Sequence, residues 1–169
     1  MSIAQSLIPE FDYEMANTRR TLERMPEDKL DFKPDPKSMP LGRLAGHVAE
    51  MVNWGAVTLQ TDSLNLDGGN FQPFSPTTRQ QLLAEFDKNV AAARAELAKA
   101  TDQQMMQTWS LIFQGKPMLT MPKVGVIRSM VLNHIIHHRA QLTVYYRMNG
   151  VPVPALYGPS ADETMAAAG

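Results

Sequence analysis

The chain has four histidines, His47, His134, His137 and His138, and three of them fall within five residues. Imidazole is the commonest metal ligand and titrates near neutral pH. Cysteine is absent, which excludes a thiolate nucleophile, a Cys-ligated metal and a disulfide framework. Spacing then decides which imidazoles act together. A helix turns by about 100° per residue. With His134 at zero, Ile127 and Tyr145 fall at about 20°, Val131 at about 60° and Leu142 at about 80°. That apolar stripe centres at about 40°, the angle of His138, whereas His137 lies at about −60°, on its edge. His134 and His138 are the inward pair, at the i,i+4 spacing that puts two ligands of one divalent ion on one helix face.

A third ligand has to come from another segment, and His47 is the remaining histidine. It sits at the boundary of a second apolar stripe, on the side of Met51, Trp54 and Thr58. Three His ligands leave one position open to water or substrate, the pattern of catalytic rather than structural sites. The competing reading is that these are hydrogen-bonded core histidines in a metal-free chain. Against it stands the cost of burying several imidazoles together without partners.

Other chemistries fail by inventory. The chain has no Gly-x-Gly-x-x-Gly, no phosphate loop and no Gly-x-Ser-x-Gly. Ile135 and Ile136 stand between the paired histidines, so no carboxylate lies between them as in His-Glu-x-x-His. A general base has to come from elsewhere, with Asp12, Glu14, Glu50, Asp162 and Glu163 as candidates.

These side chains need elements to hold them. Four segments carry a 3.6-residue apolar period. The first runs from about Ser2 to Met25, with Leu7, Phe11, Met15 and Leu22 on its stripe and Pro26 beyond. The second spans about Pro40 to Leu59, with Ser38 as its expected N-cap. A loop with Gly68-Gly69 follows, and the third helix covers about Thr77 or Thr78 to Ala100. Trp109 to Thr120, broken by Gln114-Gly115-Lys116, reads as a short hairpin. The fourth helix begins near Pro122 and stops at Asn149-Gly150. The tail from Val151 reads as an extended strap with a short Ala-rich end. Arg19, Arg20 and Arg24 read as a solvated helix face, and Trp54 and Trp109 as packing anchors. The expected architecture is an all-α four-helix bundle over residues 1–169, a single domain with a hairpin or irregular excursion before the last helix.

The chain is 169 residues long, enough to bury a sizeable core. Its 16 basic and 17 acidic side chains leave a net charge of −1, which gives no electrostatic case for nucleic acid. No signal-peptide pattern and no apolar stretch of about 18 residues is present, so a cytoplasmic location without membrane insertion is expected.

The run Asn133-His134-Ile135-Ile136-His137-His138-Arg139-Ala140-Gln141-Leu142, followed by Tyr146-Arg147-Met148-Asn149-Gly150-Val151-Pro152, resembles the DinB-like family of small bacterial metalloproteins. Ser38-Met39-Pro40-Leu41-Gly42-Arg43-Leu44-Ala45-Gly46-His47 resembles the family's first-His segment, and Tyr157-Gly158-Pro159-Ser160 its tail. Ala140 stands where the family usually has Gly. The resemblance implies a bundle of up-down-down-up order and one divalent ion held by His47, His134 and His138. It further implies zinc or nickel as the metal, and a homodimer. Relatives include thiol-dependent transferases, which use bacillithiol, mycothiol or glutathione, and some hydrolases. A metal-dependent S-transferase acting on a small molecule, with a low-molecular-weight thiol as cosubstrate, is the leading expectation. A hydrolase using metal-bound water and a non-enzymatic metal-binding stress-response module are the alternatives. No catalytic residue is assigned; His137, Gln141 and Tyr145 are candidates for roles beside the ion.

Overall fold

The computed structural model describes residues 2–67 and 72–164. Gly68-Gly69 and the Ala-rich end lie outside them. The protein is mostly helical, with one small three-stranded sheet.

Helix α1 (Ile3–Leu22) starts at a capping box in which Ser2 and Gln5 satisfy each other's backbone N–H groups. It ends at Glu23, earlier than the stripe reaching Met25 suggests. The second apolar segment is two helices, α2 (Leu41–Met51) and α3 (Asn53–Gln60). Between them Val52 keeps right-handed helical dihedrals, so the chain direction is not reset. Ser38 does not cap α2. Pro40 holds the N-cap position, and the carbonyls of Phe32 and Leu30 accept from the N–H groups of Leu41 and Gly42 instead. Helix α4 (Arg79–Lys99) is capped by Thr78, and the short α5 (Asp102–Met105) by Thr101.

The sheet joins β1 (Ser63–Asn65), β2 (Thr108–Phe113) and β3 (Lys116–Pro122) in that order. Strands β2 and β3 form the expected hairpin, and the positive φ of both Gln114 and Gly115 matches a tight two-residue turn. The parallel strand β1 is an addition that sequence periodicity did not reveal. Its three residues are too few to carry an alternation.

The last helical segment is α6 (Lys123–Val126), a π-helical stretch Ile127–Asn133 and α7 (His134–Met148) in immediate succession. Gly150, at φ 70°, ends it in a left-handed turn that a side-chain-bearing residue would find strained. The core lies between α1, α2, α4 and α7: α1 packs on α4 and α7, α2 packs on α4 and α7, and α3 packs on α4. Leu7, Phe11, Leu44, Val48, Leu82, Phe86 and Leu142 fill it. A smaller cluster of Trp109, Leu111 and Val126 sits under the sheet and is joined to the helices by Trp54 and Met130. Among the described residues, no helix is long and apolar enough to cross a membrane.

Candidate metal centre

Helix α2 presents His47, and α7 presents His134 and His138 one turn apart. The packing of α2 against α7 brings the three together. Their ligand atoms all lie within 4.8 Å of one another. The Nε2 of His134 is 3.3 Å from that of His47 and 2.8 Å from that of His138. All three side chains are half-buried.

The other side of two rings is already engaged. His47 Nδ1 is 3.0 Å from Glu50 Oε1, and His138 Nδ1 is 2.7 Å from Gln141 Oε1. A carboxylate only accepts, so His47 carries its proton on Nδ1 and turns the Nε2 lone pair towards its neighbours. Gln141 Oε1 fixes His138 in the same sense. A single N–H on His134 Nε2 can serve one of those two lone pairs but not both. A divalent cation serves all three nitrogens. Zn–N bonds of about 2.0–2.1 Å in a tetrahedral site place ligand nitrogens about 3.3–3.4 Å apart, close to the His47–His134 separation. The donor set therefore fits such an ion.

The electrostatics agree. Burial, then the neighbouring charges of His138, His47 and His137, push His134 down to about 4. Burial is also the largest influence on His138, which is lowered despite the hydrogen bond to Gln141. Both rings are neutral at pH 7, the form that ligates. Burial opposes charge on Glu50, but hydrogen bonds from His47, the Phe74 N–H and Arg43 outweigh it and hold this carboxyl below its usual range.

Of the five candidate carboxylates, Glu50 alone touches the histidines. Asp12 pairs with Arg94, Glu14 with Arg139, Asp162 with Arg147, and Glu163 with Arg20 and Arg24. Glu50 is fully occupied, accepting also from Arg43 Nη2 at 2.7 Å and from the Phe74 N–H at 2.9 Å. It is placed to orient His47 rather than to move freely as a base. Of the other candidates, His137 is exposed, its ring 4.8 Å from that of His138. Gln141 holds His138, while Tyr145 donates its hydroxyl to the Met39 carbonyl. The orienting residues had a legible pattern that composition does not display. Glu50 follows His47 by three, and Gln141 follows His138 by three, so each shares a helix face with its histidine. The part played by Phe74, far from His47 in sequence, had no such pattern.

The fold and this cluster define a mostly helical protein with a three-imidazole centre between two packed helices. The model of the DinB superfamily matches residues 10–142, and the chain belongs to that family. The chain is 26% identical over 154 residues to the uncharacterized protein YrdA of Bacillus subtilis strain 168, covering 90% of this chain and 87% of that one. Its fold is similar to that of a DinB-like protein from Bacillus cereus ATCC 10987, with a TM-score of 0.70 at 24% identity over 92% of this chain and 98% of the other. The DinB-like protein YjoA of Bacillus subtilis gives 0.65 at 17% identity, over 88% and 96% of the two chains.

Proposed function

We propose that the protein is a metal-dependent enzyme in which His47, His134 and His138 hold one divalent ion, zinc or nickel. The reaction is transfer of a low-molecular-weight thiol to a small electrophilic substrate. The observation that carries the reading is three imidazoles with their Nε2 atoms converging and two of their Nδ1 atoms engaged elsewhere. A bound ion would act there as a Lewis acid and stabilise a thiolate at neutral pH. The residues do the positioning: Glu50 and Gln141 fix two ring orientations, and burial holds His134 and His138 in the unprotonated form. A thiolate nucleophile needs no free carboxylate, and Glu50 is committed to three donors. That arrangement is compatible with S-transfer, and the preference over hydrolysis by metal-bound water, which the ion itself could activate, rests on the family resemblance.

The proposal extends to the architecture and setting. Taking α2 with α3, and Lys123–Met148, as one element each, and leaving the four-residue α5 aside, gives four long helices in up-down-down-up order, forming a single domain that acts as a cytoplasmic homodimer. Mutual packing of α1, α2, α4 and α7 supports the bundle.

Elemental analysis of untagged protein, purified without added metal, tests the site. About one divalent ion per chain is expected in the wild type and none in His134→Ala. A fully loaded variant would remove the ligand assignment. Chelation that abolishes thiol transfer with little change in melting temperature would support an enzyme. A drop of tens of degrees would instead make the ion structural and favour a non-enzymatic module.

A further inference from the structure

We infer that Gly46 and the main chain of Phe74 are positioning elements for the metal centre, acting through Glu50 on the Nδ1 proton of His47. This rests on the three-imidazole reading above and adds what holds its first ligand in place. A Cβ on Gly46 would lie 2.1 Å from the Phe74 carbonyl oxygen and 2.9 Å from Pro76 Cδ. The first obstacle is backbone, which cannot rotate away as a side chain can. Only glycine lets the segment around Phe74 lie directly on α2.

That contact has a chemical consequence. The Phe74 N–H donates to Glu50 Oε2 at 2.9 Å, while Arg43 donates to the Phe74 carbonyl at 3.4 Å and to Glu50 Oε1 at 2.7 Å. The same Oε1 accepts from His47 Nδ1 at 3.0 Å. Phe74 thus grips both members of the Arg43–Glu50 pair, and the pair fixes the tautomer of His47. The side chains of Arg43, His47 and Glu50 are 20%, 19% and 12% exposed, so water has restricted access to replace a lost donor. Gly42, one turn earlier, provides a control. A Cβ there would meet the Leu30 side chain at 3.2 Å and has no hydrogen-bonded link to Glu50.

The test uses full-length Gly46→Ala, Gly42→Ala, Glu50→Ala and the Gly46→Ala/Glu50→Ala double variant. Two readouts are needed. In metal-free protein at pH 8, long-range nitrogen–proton spectra of the imidazoles report the His47 tautomer. The wild type and Gly42→Ala should hold the Nδ1–H form, and Gly46→Ala should mix in the Nε2–H form. In a competition titration with zinc, Gly46→Ala should bind about tenfold more weakly or worse, the scale set by loss of an outer hydrogen-bond partner. The double variant should be no weaker than Glu50→Ala, because both changes act through one carboxylate. Wild-type tautomer and affinity in Gly46→Ala, or losses that multiply in the double variant, would overturn the inference. A wild type that takes up no zinc would end the metal reading, while the tautomer spectra would still decide the role of Gly46.

Discussion

His138 and Arg139 are sequence neighbours on α7, yet they enter two opposite kinds of polar cluster. On one side, three imidazoles of like character converge, and no arrangement of their own protons serves every lone pair. On the other, Arg139 and Glu14 form a buried ion pair at 2.7 Å. The Arg139 guanidinium also donates to the Glu14 carbonyl and to Thr18 Oγ1, both at 3.0 Å, and to the Tyr157 hydroxyl. The Tyr157 hydroxyl donates in turn to Glu14 at 2.7 Å. This second cluster is complete in itself. In the function proposed above, a cation would complete the first. The contrast sets a buried ion pair that joins α1 to α7 against a cluster of three imidazoles that face one another, and each prediction below acts on one side of it.

The largest effect is expected at Arg139. Arg139→Met strands the Glu14 carboxylate in a buried position and should cost about 3–5 kcal/mol, read as a lower urea midpoint. The metal content of the folded protein should stay at the wild-type level. His134→Ala should do the reverse. Metal uptake disappears, while metal-free stability changes by about 1 kcal/mol or less, since the ring removed has no obligatory partner. If His134→Ala unfolded the chain and Arg139→Met did not, the assignment of the two clusters would be inverted.

Acid sharpens the same contrast. His134 titrates at about 4 in the folded protein, below its ordinary 6.5. Between those values the unfolded chain binds the extra proton, so stability is present above 6.5 and is lost as pH falls towards 4. His138 shifts in the same direction. Metal-free wild type should therefore lose stability over that window, measured as urea midpoint against pH. His134→Ala should lose less. Equal slopes would mean that His134 takes up its proton as readily in the folded as in the unfolded chain.

Much of the candidate site was legible because i,i+4 spacing on one helix is purely local. His134 and His138 could be paired from the apolar stripe, and His47 followed as the remaining histidine. The helical segments were legible for the same reason. What escaped was non-local or broke the period. The π-helical stretch Ile127–Asn133 just before His134 follows no separate apolar rule, although such stretches recur at functional sites. Strand β1 is defined by its pairing with β2 rather than by its own three residues. Arg20 on α1 is exposed and Arg24 just past its end partly so, as a solvated face requires, and both also reach Glu163, more than a hundred residues away. Nothing in their local sequence could name that partner.

That partner belongs to the strap that follows α7, and the strap supplies the smallest predicted effect. Tyr157 is 58% exposed overall, yet its hydroxyl lies inside the Arg139–Glu14 pair. Burial, then its hydrogen bond to Glu14, pushes that hydroxyl up to about 12, so it remains a neutral donor throughout the range where the protein is handled. Tyr157→Phe removes two hydrogen bonds but leaves the ring beneath the Arg139 guanidinium, 5.3 Å from its centroid, and leaves the ion pair whole. Because water can reach part of this site, the loss should be about 1 kcal/mol, below the range for a buried bond to a charged group. Limited proteolysis should show faster cleavage within residues 151–164 and unchanged cleavage elsewhere, with metal content untouched. A loss as large as that of Arg139→Met would show that the strap, rather than the ion pair, holds α1 and α7 together, and the second cluster would then not be complete without it.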